Sequence, residues 1–207
     1  MAQEINLKDG NSGHIAKVDD LGDLHTQSLG VLLTNHEVSV GNTYNINSVQ
    51  TDGTVITLTN TTETPILYFQ NNEEKPVLVT PIFISDVSTG GTTHPKWRVF
   101  KKSSTMAGDI VTEAKAAVFE NKHFGSSNTM SKSFAYRGAV GDANADANMT
   151  LVTASFTTAG STRVLDLGGI WLTTGASLLI TCEAGTDNTS MGVMGALSVV
   201  HMKDVII

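Results

Sequence analysis

An all-β fold is what this sequence predicts: an antiparallel β-sandwich, jelly-roll-like, with an extended N-terminal arm. Three observations predict it. The 207 residues include 27 Thr, 19 Val and 12 Ile, so 58 positions are β-branched; such side chains fit a pleated surface and lose χ1 freedom in a helix. Short runs of alternating apolar and polar residues recur between Gly, Asn and Asp turn signals. No segment of comparable length holds a convincing helical period. Two packed antiparallel sheets are the natural way to bury about eight to ten short strands of this kind.

Residues 1–40 form the arm. They are polar and punctuated by Gly and Asp, with short apolar pieces at Ile15, Val18, Leu21 and Leu24 and at Val31–Leu33. A small hairpin is expected near Asp20–Asp23, and the apolar surface is too small for this segment to fold alone. Residues 41–207 form the body. Its first strands are Tyr44–Val49 and Thr54–Thr59, and the Asp52-Gly53 turn signal between them predicts a hairpin.

Pro65–Gln70 and Val77–Val87 are dense enough in apolar residues for central strands, with Pro81 marking a bulge or an edge because it has no N–H to donate. Lys96–Lys101 reads as a half-exposed strand with one irregularity, and Trp97 as a core residue. From Asp109 to Phe124 helical spacing and alternation compete, and the all-β context favours strand. Ser133–Arg137, Thr150–Phe156, Thr162–Leu167, Ile170–Leu172, Leu178–Glu183 and Val193–Met202 complete the set. Trp171 follows Gly168-Gly169 at a turn, where it can face outward.

Charge and targeting remove several functions. Thirteen Lys and Arg against 20 Asp and Glu give a net charge of −7, without the basic footprint that binding to a phosphate backbone requires, so nucleic acid is excluded as the expected ligand. The N-terminus lacks a basic region followed by an apolar stretch, which predicts folding in a cytoplasm, and no window approaches the apolar length of a membrane span. Cys182 is the single cysteine; alternation places it with Leu178 and Ile180 on one buried face, as a small hydrophobe.

Motifs for chemistry are sparse. The chain has no Gly-x-Ser-x-Gly elbow, no phosphate loop and no His-Glu-x-x-His, and His36-Glu37 lacks the second His. His14, His25 and His36 are equally spaced in an extended arm, which does not bring imidazoles together. Asp142, Asn144, Asp146 and Asn148 do alternate as the first oxygen ligands of a calcium loop alternate, making them the one metal candidate. Ala147 stands where the sharp turn needs Gly, however, and Thr153 where a bidentate Glu is needed. No catalytic residue, cofactor or enzyme activity is expected.

Several stretches are similar to structural proteins of tailed bacteriophages. Lys8–Leu24, reading KDGNSGHIAKVDDLGDL, resembles their N-terminal pattern. TPILYFQNN at 64–72, STGGT at 88–92 and NKHFGSS at 121–127 resemble their later strand and loop signatures, as does the ending from GGIWL at 168–172 through Ser190-Met191. The resemblance implies a non-enzymatic virion component with a β-sandwich or jelly-roll core. The reading is a capsid accessory or decoration subunit on the outer surface of a head, assembled in the host bacterial cytoplasm.

Expected partners are further copies of the chain, a trimer being favoured at a local threefold, and other virion proteins such as the major capsid protein. Expected interaction residues are Ile15, Val18, Leu21 and Leu24 in the arm and Val205, Ile206 and Ile207 at the end, which would be costly to leave in water. The alternative is a tail-fibre, collar or adhesin module that binds a host cell-surface glycan through the loops at 88–95, 141–149 and 185–191.

Overall fold

The computed structural model describes residues 7–8, 15–16, 38, 41–49, 53–58, 62–87, 94–112, 115–139, 141–143, 146–158, 160–165, 167–184 and 191–202. Contacts divide the chain into two units, Met1–His36 and Glu37–Ile207. In the first, β1 (Leu7–Lys8) pairs antiparallel with β2 (Ile15–Ala16). The hairpin expected at 20–23 lies outside the described residues.

The second unit is an all-β sandwich. Its strands are β3 (Thr43–Asn47), β4 (Ile56–Leu58), β5 (Thr64–Gln70), β6 (Val77–Asp86) and β7 (Lys96–Lys102), then β8 (Lys115–Ala116), β9 (Phe119–Asn121) and β10 (Phe134–Arg137). β11 (Thr150–Phe156), β12 (Thr162–Leu165), β13 (Ile170–Leu172), β14 (Ser177–Glu183) and β15 (Met191–His201) follow. One sheet runs β11-β7-β14-β5-β10-β8; the other runs β12-β6-β15-β3-β9, with β13 also on β6 and β4 also on β15.

The connectivity is a set of nested antiparallel pairs. β7 pairs with β11, β6 with β12, β5 with β14 and β4 with β15. A long hairpin rolled up in this way is the jelly-roll arrangement, and it places the two halves of each pair far apart in sequence. The segment between β7 and β11 widens both sheets on one side, β10 adding to β5 and β9 to β3.

Alternation explains the core. On β14, Leu178, Ile180 and Cys182 point between the sheets with Trp97 and Val99 of β7, and all are fully buried. Gly195 of β15 stands across from them: a Cβ there would lie 3.3 Å from Ile66. Leu179, on the opposite face of β14, is also fully buried, because the stretch after β7 folds over that face and packs Met106 and Ile110 on Leu179 and Tyr68. Both faces of this central strand are therefore dry, which accounts for the consecutive apolar residues Leu178–Ile180.

Pro81 sits where its missing N–H is harmless. The β15–β6 register shifts between Leu197 and Val199, opposite Thr80-Pro81. On the other edge of β6, β13 ends its pairing at Val79 and β12 begins at Ile82. The proline falls in a bulge on one side and in a gap on the other.

Two expectations are corrected. Tyr44–Val49 and Thr54–Thr59 do not pair as a hairpin; β3 and β4 both lie along one edge of β15, at Ala196–Val200 and Met191–Val193. The long C-terminal strand offers more apolar partner positions than either short strand offers the other. The stretch 109–124 is not one strand but a single helical turn, α1 (Asp109–Thr112), followed by β8 and β9. Asp109 and Ala143 exchange hydrogen bonds, Asp109 N to Ala143 O at 3.0 Å and Ala143 N to Asp109 Oδ2 at 2.7 Å, which fixes the turn.

Candidate functional site

At one end of the sandwich a polar cleft of about 280 Å³ opens between the start of β3, the β5–β6 turn, the loop after β9 and the end of β15. Asn42, Tyr44, Glu73, Asn128 and His201 line it. The β5–β6 turn is built by Asn71, fully buried, whose amide donates to Lys75 O at 3.1 Å and Leu172 O at 2.9 Å while its Oδ1 accepts from Glu73 N at 3.0 Å. A side chain that mimics a backbone turn in this way holds the next residues in place.

Glu73 is consequently only 6% exposed, and its Oε1 accepts from Lys132 N at 3.0 Å and Ser133 N at 3.1 Å. Its backbone carbonyl accepts from Thr174 Oγ1 at 2.7 Å. The opposite wall is an asparagine network. Asn121 Nδ2 donates to Gly41 O at 2.7 Å and Asn128 O at 3.1 Å, and Asn128 Nδ2 donates to Asn42 Oδ1 at 3.2 Å.

Gly41, at φ +77°, is required here, since a Cβ would fall 2.1 Å from Ser126 Oγ. Tyr44 reaches the cleft from β3 and is 2% exposed. Burial first, and the Glu73 charge second, raise the pKa of its phenol, which stays protonated and able to donate.

A second, wider groove of about 520 Å³ lies along β3, β8 and β9, with Asn45, Asn47, Lys115, Glu120 and Arg137 on its walls. Part of its polar surface is already committed: Asn45 Oδ1 accepts from Ser198 Oγ at 2.8 Å and Asn47 Oδ1 from Val49 N at 2.9 Å. On the far face of the β7–β14 pair, Arg98 bridges Glu63 at 2.9 Å and Glu183 at 2.8 Å, and Thr181 Oγ1 donates to Glu63. That arrangement ties three strands together.

Three of the four calcium-candidate residues are described: Asp142, Asp146 and Asn148. Asp142 is buried and its Oδ2 accepts from Ala139 N at 2.6 Å, closing its own turn. Asp146 takes Lys102 Nζ at 2.6 Å and Ala107 N at 2.9 Å on Oδ2, and Asn148 N at 2.9 Å on Oδ1. These donors, the Lys102 ammonium foremost, hold its carboxyl down at about 2. Both carboxylates take part in building the loop. Asn144 lies outside the described residues. Among those residues, no three His, Cys, Asp or Glu side chains are placed to hold a metal, and no helix is long and apolar enough to cross a membrane.

Of the expected interaction residues, Ile15 falls in β2, while Val18, Leu21, Leu24, Val205, Ile206 and Ile207 lie outside the described residues. So do His14, His25, His36 and most of the loops at 88–95 and 185–191. Cys182 is buried, and burial pushes its thiol pKa well up, which keeps it unreactive. Trp97 is fully buried and Trp171 is 50% exposed, as the sequence predicts for each.

Sequence reasoning did not find the cleft. Tyr44, Glu73 and His201 sit in three separate segments, and no local spacing joins them. No family model, curated protein or solved structure matches the chain.

Proposed function

We propose that the chain is a non-enzymatic structural virion protein, a capsid accessory or decoration subunit that works by self-association and by docking its arm. The phage reading comes from the motif resemblance. One structural observation supports self-association: a margin of the sandwich carries exposed apolar side chains on strands that, among the described residues, lie at the sheet edges. β11 ends one sheet and β12 and β13 end the other. Ser161 N donates to Thr158 O at 3.0 Å between the end of β11 and the start of β12, which brings the two edges side by side.

Along this margin Leu151, Phe156, Val164 and Trp171 are each at least half exposed. Free edges offer unpaired N–H and C=O groups, and an apolar row beside them favours a second copy of the chain. Light scattering on the purified protein tests self-association. An oligomer that Phe156→Ser with Trp171→Ser dissociates at unchanged melting temperature is expected; a monomeric parent protein would defeat the proposal. Immunogold labelling of purified particles tests the location. Label on the head is expected, and label confined to a tail tip would favour the host-binding alternative.

A further inference from the structure

We propose that the cleft between Tyr44, Glu73 and His201 binds one neutral sugar residue, with the Glu73 carboxylate and the Tyr44 hydroxyl gripping neighbouring ligand hydroxyls. The inference supplies a site for the glycan-binding alternative and does not depend on where the protein sits in a particle. Among the described residues, two polar groups at the cleft have no protein partner: the Tyr44 hydroxyl and Oε2 of Glu73. The Tyr44 ring is 98% buried in the end of the core, yet among the described residues its hydroxyl makes no hydrogen bond. A buried phenol ordinarily finds a partner, so this one is arranged for something that enters the cleft.

Glu73 is placed in a complementary way. Both bonds to its side chain come from the backbone N–H groups of Lys132 and Ser133 and fall on Oε1, which fixes the carboxylate and leaves Oε2 to the cleft. No Lys or Arg lines the space, and the nearby Lys132 ammonium pairs with Glu74 at 2.6 Å. The Glu73 carboxylate, with no Lys or Arg beside it in the lining, disfavours an anionic ligand such as phosphate, sulfate or an acidic sugar.

The two open groups then specify the ligand. Oε2 of Glu73 can only accept a hydrogen bond, and the phenol is kept in its donating form by burial and by Glu73. A hydroxyl group both donates and accepts, so a vicinal diol satisfies Glu73 with one oxygen and Tyr44 with the next. Ser127 and Thr129, exposed at the mouth, add further hydroxyls, and the amides of Asn42 and Asn128 line the wall. A volume of about 280 Å³ is at the lower limit of small-molecule sites, and it suits a single ring rather than an extended chain. The buried Tyr44 provides no stacking platform, so affinity comes from hydrogen bonds alone and belongs in the millimolar range.

The experiment is a titration of the isotope-labelled full chain with methyl glycosides of glucose, galactose, mannose and N-acetylglucosamine, up to about 100 mM, followed by amide NMR shifts. The expected result is saturable shifts for at least one glycoside, centred on Tyr44, Glu73 and Ser127–Thr129. Tyr44→Phe removes only the unpartnered oxygen; it should keep the fold and weaken binding about fivefold or more. Glu73→Gln should weaken it further. Methylammonium and calcium are titrated in parallel. The proposal is overturned if no glycoside saturates, if Tyr44→Phe binds as the parent does, or if only the cations shift these residues.

Discussion

Asp146 offers a direct test of how the loop before β11 is held. Its side chain is 3% exposed and that of Lys102 is 21% exposed. A carboxyl held at about 2 instead of 3.8, with each tenfold change in proton affinity worth about 1.4 kcal/mol, contributes about 2 kcal/mol at neutral pH. Lys102 is partly open to water, so screening takes a share of this. Asp146→Asn keeps the shape and one acceptor oxygen but turns charge-assisted bonds into neutral ones, and it should cost about 1–2 kcal/mol at pH 7.

The pH dependence follows from the direction of the shift. The folded-state pKa is depressed, so the contribution is complete above about pH 4 and is lost as pH falls through about 2. Urea unfolding of both proteins at pH 7, and again near pH 2, checks it. The gap of about 1–2 kcal/mol at pH 7 corresponds to a melting temperature about 2–8 °C lower. It should shrink by more than half near pH 2. A gap that persists undiminished at that pH would refute the ion-pair account, and so would no gap at pH 7.

Two further outcomes test the packing. At Gly138 a Cβ would lie 1.7 Å from the Pro65 carbonyl oxygen, whereas at Gly125, with φ +88°, it would meet nothing. Gly138→Ala should therefore cost about 3 kcal/mol or more and depress soluble yield, while Gly125→Ala should cost only about 1–2 kcal/mol; equal melting temperatures would contradict this. Trp97 is fully buried and its Nε1 donates to Thr157 Oγ1 at 2.9 Å. Trp97→Phe should cost about 2–3 kcal/mol and leave a fluorescence that acrylamide quenches strongly, since only half-exposed Trp171 remains. Trp171→Phe should leave a poorly quenched emission, and similar quenching in the two variants would reverse the assignment.

Much of the fold was legible because the determining signals are local. Thr150–Phe156 and Ile170–Leu172 are strands at the predicted bounds, since their β-branched and alternating residues need only a neighbouring strand of any origin. Pro81 was legible as a bulge or an edge from a single missing donor, and the fold chose the bulge. The Asp109–Phe124 region was not. Its spacing suits two structures equally, and α1 forms because Asp109 meets Ala143 across 34 residues. The donors that reach the Asp142 and Asp146 carboxylates were not legible either, because the folded loop decides which groups come close to them.

By itself, then, the sequence determined that the chain makes strands, where most of them run, which tryptophan is inside and that the net charge is −7. Each of those follows from side-chain shape, alternation or simple charge. Only the tertiary structure decided which strand pairs with which, that β3 and β4 share an edge of β15, and that Tyr44, Glu73 and His201 surround one cleft. Pairing is chosen by how well whole faces bury one another. The partners lie far apart along the chain, so that choice leaves no trace in the spacing of neighbouring residues.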